Sequence, residues 1–237
     1  MAPAGVGPTL EKVLGSTGNL HESTLVRHRE WEDAWRWNAW DLAERVAAAA
    51  LLVLVAPLLG ALVAAVAVVS RRSPLVAHRR AGWRGRDLWM LKLRTLWDPR
   101  APEQGGRLVT PIVDSWVPAD KSGGDPRVAH PLARWMRRYS LDELPQLLHV
   151  VSGAMALTGP RPLTWQELRA YYGEAMAEVL AVRPGLTGLW QVQGRSRLTY
   201  HQRRRLDLFL VSKRSLRLRA WILARTFSAV VRGENAG

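Results

Sequence analysis

Asp142 and Glu143 stand side by side in RRYSLDELPQLL, residues 137–148, closely preceded by Arg137 and Arg138. Adjacent carboxylates can hold Mg²⁺, and one of them can attack phosphorus. Pro145 suits the first turn of a helix, where its missing N–H would have no partner anyway. That reading leaves the two acids in the turn feeding a helix N-terminus, where free N–H groups favour a phosphate. A structural reading competes with it. Ser140-Leu-Asp-Glu143 also matches the S-x-x-E capping box, although that frame puts Pro145 inside the helix. Spacing alone leaves both open.

Arg161 is the next residue of interest. It lies in GPRP, residues 159–162, where prolines on both sides restrict the backbone and present one guanidinium at low entropic cost. An ordinary turn with an exposed arginine gives the same sequence. Arg183 in RPG and Arg195 in QGR share this character more weakly. Other enzyme patterns are absent. There is no G-x-x-x-x-G-K-[ST], no G-x-G-x-x-G, no H-E-x-x-H and no D-x-D, and the six His are scattered. The chain has no Cys, which excludes disulfides, thiolate metal sites and a cysteine nucleophile.

Something must hold these groups, and the surrounding sequence predicts what. Val46 to Val69 is a run of 24 residues without a charge, enough for a membrane helix. Pro57 at its centre predicts a kink, with halves of about 17 Å each at 1.5 Å per residue. Such a helix either spans or re-enters. Arginines on both sides, among them six between 71 and 86, fit a re-entrant hairpin somewhat better. Residues 27–45, with Trp31, Trp35, Trp37 and Trp40, read as an interfacial helix, and residues 1–26 as a mobile tail. Residues 84–86 read as a tight turn. Leu88 to Leu96 reads as a strand with Lys92 and Arg94 on one alternating face. Residues 98–126 read as loop. Helical patterns are expected over 131–148, broken near Pro145, over Trp165 to Val182, and over 200–232, with a structured loop at 183–197.

The chain has 237 residues, 48% of them hydrophobic, and a net charge of +14. Its size allows one ordinary domain with appendages, and its charge calls for an anionic partner. Only 4 of the 34 basic residues are Lys, which suits phosphate contact but is equally what a GC-rich genome writes, and Trp (12) far exceeds Phe (2), which suits a membrane–water boundary.

Seven segments in order resemble the bacterial sugar transferase family, the monotopic polyprenyl-phosphate phosphoglycosyl transferases. They are the apolar run with Pro57, KLRTL at 92–96, DPRV at 125–128, RRYSLDELPQL at 137–147, GAMALTGPRP at 153–162, RPGLTGLWQVQGR at 183–195 and RLDLFLVSKRSL at 205–216. The resemblance implies a helix-dominated α/β fold. It comprises a small membrane-associated catalytic domain, interfacial amphipathic helices and an N-terminal kinked membrane helix, re-entrant or spanning. The tail would be 1–26, the membrane part 27–70, and the transferase domain 71–233.

The implied reaction moves a sugar 1-phosphate from a UDP-sugar to polyprenyl phosphate and releases UMP, initiating a surface glycan. Asp142 would be the nucleophile, and Glu143 its partner, both near Mg²⁺. Arg137 and Arg161 would bind phosphate, Lys92 and Arg94 would lie near the site and bind phosphate or substrate, as would Arg183, and Gln191, Gly194 and Arg195 would serve donor binding. The implied location is the cytoplasmic leaflet of the bacterial plasma membrane, with no nucleic-acid partner and with a homodimer allowed. Ala154 departs from the family pattern, which has an acid there, and Arg197 and Arg219 stand where acids are common. A basic membrane-anchored binding or scaffold protein without catalysis is the alternative. Charge and the apolar run suit it equally, but the acidic pair among arginines does not.

Overall fold

The structure is a computed structural model that describes residues 39–96, 107–113, 130–194, 197–213 and 215–233. Trp31, Trp35, Trp37, the DPRV block and Arg195 lie outside the described residues, as does the expected tail at 1–26.

The apolar run forms α1, Ala39–Ser70, a 32-residue helix with Pro57 inside it. Pro57, where a kink is expected, does not divide it into two elements. By length and composition it can cross a membrane. One stripe of α1 packs on the rest of the protein along its whole length. Ala48, Leu52 and Val55 pack with Leu88, Met90, Leu147 and Val150, while Leu59, Leu62, Val63 and Val66 pack with Leu93 and Met136. Spacings of three and four keep these residues on one helical face. The opposite face is apolar and open, with Val53 and Leu54 each 76% exposed. Exposed apolar surface of this extent is what a lipid phase would cover.

β1 (Leu75–Ala81) pairs antiparallel with β2 (Asp87–Leu93) and parallel with β3 (Val109–Ile112), giving the order β2-β1-β3. The β1–β2 connection is the tight turn that the sequence suggests, a 3₁₀ turn at Trp83–Gly85 with Gly85 at φ 70. β3 falls inside the stretch read as loop. Its four residues gain strand structure only by pairing with β1, and no local pattern announces that. After α2 (Pro131–Arg138) comes a 3₁₀ turn, Leu141–Gln146, and then α3 (Leu147–Ser152). β4 (Ala156–Thr158) and β5 (Gly185–Thr187) form a second, two-stranded parallel sheet.

The helix expected over Trp165 to Val182 is segmented. It runs as α4 (Trp165–Glu167), a π turn (Leu168–Tyr172), a 3₁₀ turn (Gly173–Ala175) and α5 (Met176–Leu180). Gly173, at φ 52 and ψ −126, takes the backbone off the helical path there. The loop at 183–197 holds β5 and a short helix, α6 (Leu189–Gln193). The basic C-terminal stretch is two helices, α7 (Tyr200–Lys213) and α8 (Leu216–Arg232), because Ser215 caps the second one. Leu189, Leu206, Leu210, Leu218 and Ile222 bind α6, α7 and α8 into one core. Burying each such side chain contributes roughly 1.5–3 kcal/mol. α8 also exposes Leu216, Phe227 and Val231 beside Arg217, Arg225 and Arg232, an amphipathic helix of the interfacial kind.

Candidate active site

Asp142 and Glu143 lie in the 3₁₀ turn Leu141–Gln146, which includes Pro145 and runs directly into α3. The capping-box reading fails. Ser140 sits at φ 53, ψ 26, and its side chain caps nothing. Glu143 instead accepts hydrogen bonds on Oε1 from Lys92 Nζ (2.7 Å) and from Arg161 Nη2 (3.2 Å). Two cations from distant parts of the chain thus meet on one carboxylate oxygen.

Each cation arrives by its own element. Leu88 and Met90 face the core from β2, and Lys92 continues that face two residues on, so its stem is sheltered and its ammonium needs a partner. His149 of α3 fixes the spacing, since its Nε2 accepts the Leu91 N–H at 3.1 Å, one residue from Lys92. Burial lowers the His149 pKa, against a backbone hydrogen bond at Trp89, and so favours the neutral ring that can accept. Arg161 follows β4. Gly159 brings that strand so close to β5 that a Cβ on it would lie 2.7 Å from the Arg183 carbonyl oxygen, a fit only glycine allows.

The two carboxyls titrate apart. Burial would raise Glu143, but the charges and hydrogen bonds of Lys92 and Arg161 outweigh it and hold the carboxyl below its usual range. Burial and the neighbouring Glu143 charge raise Asp142, while Lys92 and Arg137 oppose that shift. Two adjacent acids whose surroundings push them in opposite directions suit two different tasks.

The structure therefore brings together Lys92, Arg137, Asp142, Glu143 and Arg161. Arg137 lies in the last turn of α2 and acts on Asp142 by charge. Two residues expected here make their contacts elsewhere. Arg94 donates from Nε to the Ser73 carbonyl (2.7 Å) and from Nη2 to Thr110 Oγ1 (2.9 Å), tying β3 to the end of β1–β2. β2 ends at Leu93, so the alternation that put Lys92 and Arg94 on one face stops between them. Arg183 pairs with Asp41 of α1 (2.8 Å) and lies over the Trp83 ring. Gln191 sits on α6, its N–H bonded to the Gly188 carbonyl, within the helical core region.

Sequence reasoning did not single out Asp207. It is fully buried, and its Oδ2 accepts from Tyr172 Oη at 2.7 Å. Burial pushes its pKa up to about 7, against Tyr172, Trp190, Arg161 and Arg203. It thus stands close enough to Arg161 to feel its charge. One signal for it was present: a lone acid in the apolar run LDLFLV.

Among the described residues no group of three or more His, Asp or Glu gathers to cage a metal. Two carboxylates fit Mg²⁺ nonetheless, because that ion keeps waters and takes substrate phosphate oxygens besides one or two carboxylates. Glu143 is held ionised, and its bonds to Lys92 and Arg161 both land on Oε1, which among the described residues leaves Oε2 for such an ion. Ala154 packs in the apolar cluster joining α1 to α3.

A family model described as bacterial sugar transferase matches residues 35–233. Exopolysaccharide production protein ExoY of Rhizobium meliloti is 36% identical over 187 residues, 78% of this chain and 82% of that protein. UDP-glucose:undecaprenyl-phosphate glucose-1-phosphate transferase of Caulobacter vibrioides is 37% identical over 210 residues, 84% of this chain and 73% of that protein. UDP-galactose-lipid carrier transferase of Erwinia amylovora is 36% identical over 189 residues, and this chain spans only 39% of its length.

Proposed function

The chain belongs to the bacterial sugar transferase family, and from that premise we propose that it moves a sugar 1-phosphate from a UDP-sugar to polyprenyl phosphate. The observation that supports this most is the convergence of Lys92 and Arg161 on Glu143, next to a second, half-buried carboxyl at Asp142. Phosphoryl transfer needs a nucleophile, cations around the transferring group and a fixed geometry more than elaborate covalent chemistry. This cluster supplies all three.

Asp142 is the nucleophile of this reading. Its carboxylate oxygen attacks the phosphorus that bears the sugar. The bond from that phosphorus to the bridging oxygen breaks, and UMP leaves with the electron pair. The phospho-sugar then resides on Asp142 as an acyl phosphate. An oxygen of polyprenyl phosphate attacks the same phosphorus, expels the Asp142 carboxylate, and yields polyprenyl diphosphate-sugar. Burial disfavours the Asp142 charge, which raises the basicity and nucleophilicity of the carboxylate once formed, while Lys92 and Arg137 keep it accessible. Arg161 and Arg137 hold phosphate oxygens, and Lys92 keeps Glu143 ionised and oriented. Mg²⁺, held by Glu143 and Asp142, would neutralise charge on the diphosphate.

Both halves of α1 pack on one body. A crossing helix would carry one half away from a domain that stays on one side, so we place α1 in one leaflet. The leaflet is the cytoplasmic one of the plasma membrane, where UDP-sugars are found. The test is nucleotide release by the membrane-extracted protein with Mg²⁺, polyprenyl phosphate and UDP-sugars offered singly. UMP from one donor, lost in Asp142→Asn, supports the reading and names the sugar. UDP as product would mean transfer at carbon and end it.

A further inference from the structure

Glu44 lies within α1, two residues before the uncharged run begins, and is 5% exposed. A carboxylate buried there is costly unless its oxygens are satisfied. They are, and the partners are informative. Glu44 Oε1 accepts from Trp40 Nε1 (2.9 Å) and Thr158 Oγ1 (3.4 Å), and Arg219 Nη1 lies 3.6 Å away. Glu44 Oε2 accepts the Leu157 N–H at 3.2 Å.

Leu157 and Thr158 belong to β4, and Arg161 is three residues beyond. One side of β4 is paired with β5, through Ala156 N–H to the Pro184 carbonyl (2.8 Å), Gly159 N–H to the Thr187 carbonyl (2.9 Å) and Gly185 N–H to the Pro160 carbonyl (2.8 Å). The other side meets Glu44. The neighbouring polar residues of α1 grip the same region. Asp41 pairs with Arg183, which leads into β5, and Arg45 Nε donates to the Val151 carbonyl at 2.8 Å, at the end of α3. The start of α1 therefore holds both strands of the sheet from which Arg161 emerges.

We propose that Glu44 is a positioning residue for Arg161: by satisfying the outer edge of β4 it sets where the GPRP turn presents the guanidinium to Glu143. The inference rests on the role given above to Arg161. It makes α1 a part of the site's geometry as well as a membrane anchor. Arg219 serves here as a counter-charge for Glu44.

Full-length protein in polyprenyl-phosphate vesicles tests this, with UMP release and amide hydrogen exchange read on the same samples. In Glu44→Ala the turnover number falls by about tenfold or more, while membrane partition and the KM for the lipid acceptor stay unchanged. Exchange at Leu157 and on to Arg161 accelerates by about tenfold or more, while Leu88 to Leu93 stays protected. Glu44→Gln, whose amide oxygen still accepts the Leu157 N–H, recovers turnover to within about threefold of wild type. Adding Glu44→Ala to Arg161→Ala causes no further loss, since the two act on one event. A double variant whose losses multiply, or unchanged exchange at Leu157, would overturn the inference. Should Glu44→Ala not fold, Glu44→Asp keeps the charge but shortens the reach, and must show the same pattern at smaller amplitude. Wild-type turnover in Arg161→Ala would sink the role of Arg161 and this inference together. A normal loss in Arg161→Ala with multiplying effects sinks this inference alone.

Discussion

Two segments of this protein carry the same local signal, a hydroxyl residue followed three positions later by glutamate. Thr164-Trp-Gln-Glu167 forms a complete capping box: Thr164 Oγ1 accepts the Glu167 N–H at 3.0 Å, and Glu167 Oε2 accepts the Thr164 N–H at 2.9 Å. Ser140-Leu-Asp-Glu143 forms none. Ser140 turns into the left-handed region, and Glu143 gives its carboxylate to Lys92 and Arg161. Arg80 stands 3.7 Å from Glu167 as well, so a nearby cation alone does not undo a cap. What differs is the backbone. Pro145 forces a 3₁₀ turn through the second segment, and a strand and a turn from elsewhere deliver two cations to one oxygen. A capping motif is thus a local offer that tertiary contacts either accept or override.

The largest effect expected on that contrast is chemical. Asp142→Asn should lower UMP release by at least ~10³-fold with the melting temperature little changed, since the amide is nearly isosteric. Retained turnover would return this segment to a structural role. Next, Glu143→Gln should cost on the order of 10²-fold in turnover, because Lys92 and Arg161 lose their counter-charge, whereas Glu167→Gln should leave turnover near wild type. The Glu143 pair also has a pH signature. Its carboxyl is depressed in the folded state, so its stabilisation is complete above the ordinary glutamate pKa of 4.5 and is lost as pH falls through the lower folded value. The melting-temperature gap between wild type and Glu143→Gln should close over that acidic range.

Asp207 sharpens the comparison from the opposite side. Its folded pKa of about 7 is raised from 3.8, so the folded state binds the proton more tightly than the unfolded chain does. Its burial penalty is absent below pH 4, grows as pH rises towards 7, and then levels off, with a limiting slope of about 1.4 kcal/mol per pH unit. Asp207→Asn should therefore gain melting temperature over wild type by several degrees between pH 5 and pH 8, and a constant difference would refute the protonation argument. The smallest effects separate the two capping motifs directly. Thr164→Ala should cost about 1 kcal/mol in denaturant unfolding, and Ser140→Ala close to nothing, because only Thr164 caps. Equal costs would mean that Ser140 contributes what its geometry denies.

Much of this was legible in the chain. The acidic pair, its neighbouring arginines, the GPRP turn and the uncharged run are all contiguous patterns, and the ordered blocks carried the family. Lys92 was readable because an alternating strand puts it on the core face. Arg94 was not, because the alternation ends at Leu93 and its partners Ser73 and Thr110 are remote in sequence. Arg183 resembled Arg161 in its Pro-flanked setting, yet one reaches Glu143 and the other Asp41 and Trp83.

By itself, then, the sequence determined composition-level facts and local periodicity: a long apolar helix, a basic chain without thiols, a proline-restrained arginine and an acidic pair. These follow from side-chain type and short-range spacing, which need no partner. Tertiary structure alone decided which cation meets which carboxylate. It decided that β3 becomes a strand, that Asp207 is buried against Tyr172 within reach of the Arg161 charge, and that the start of α1 grips the edge of β4. Those outcomes depend on groups far apart in the chain competing for the same few atoms. Burial then makes each unmet charge costly enough to settle the competition.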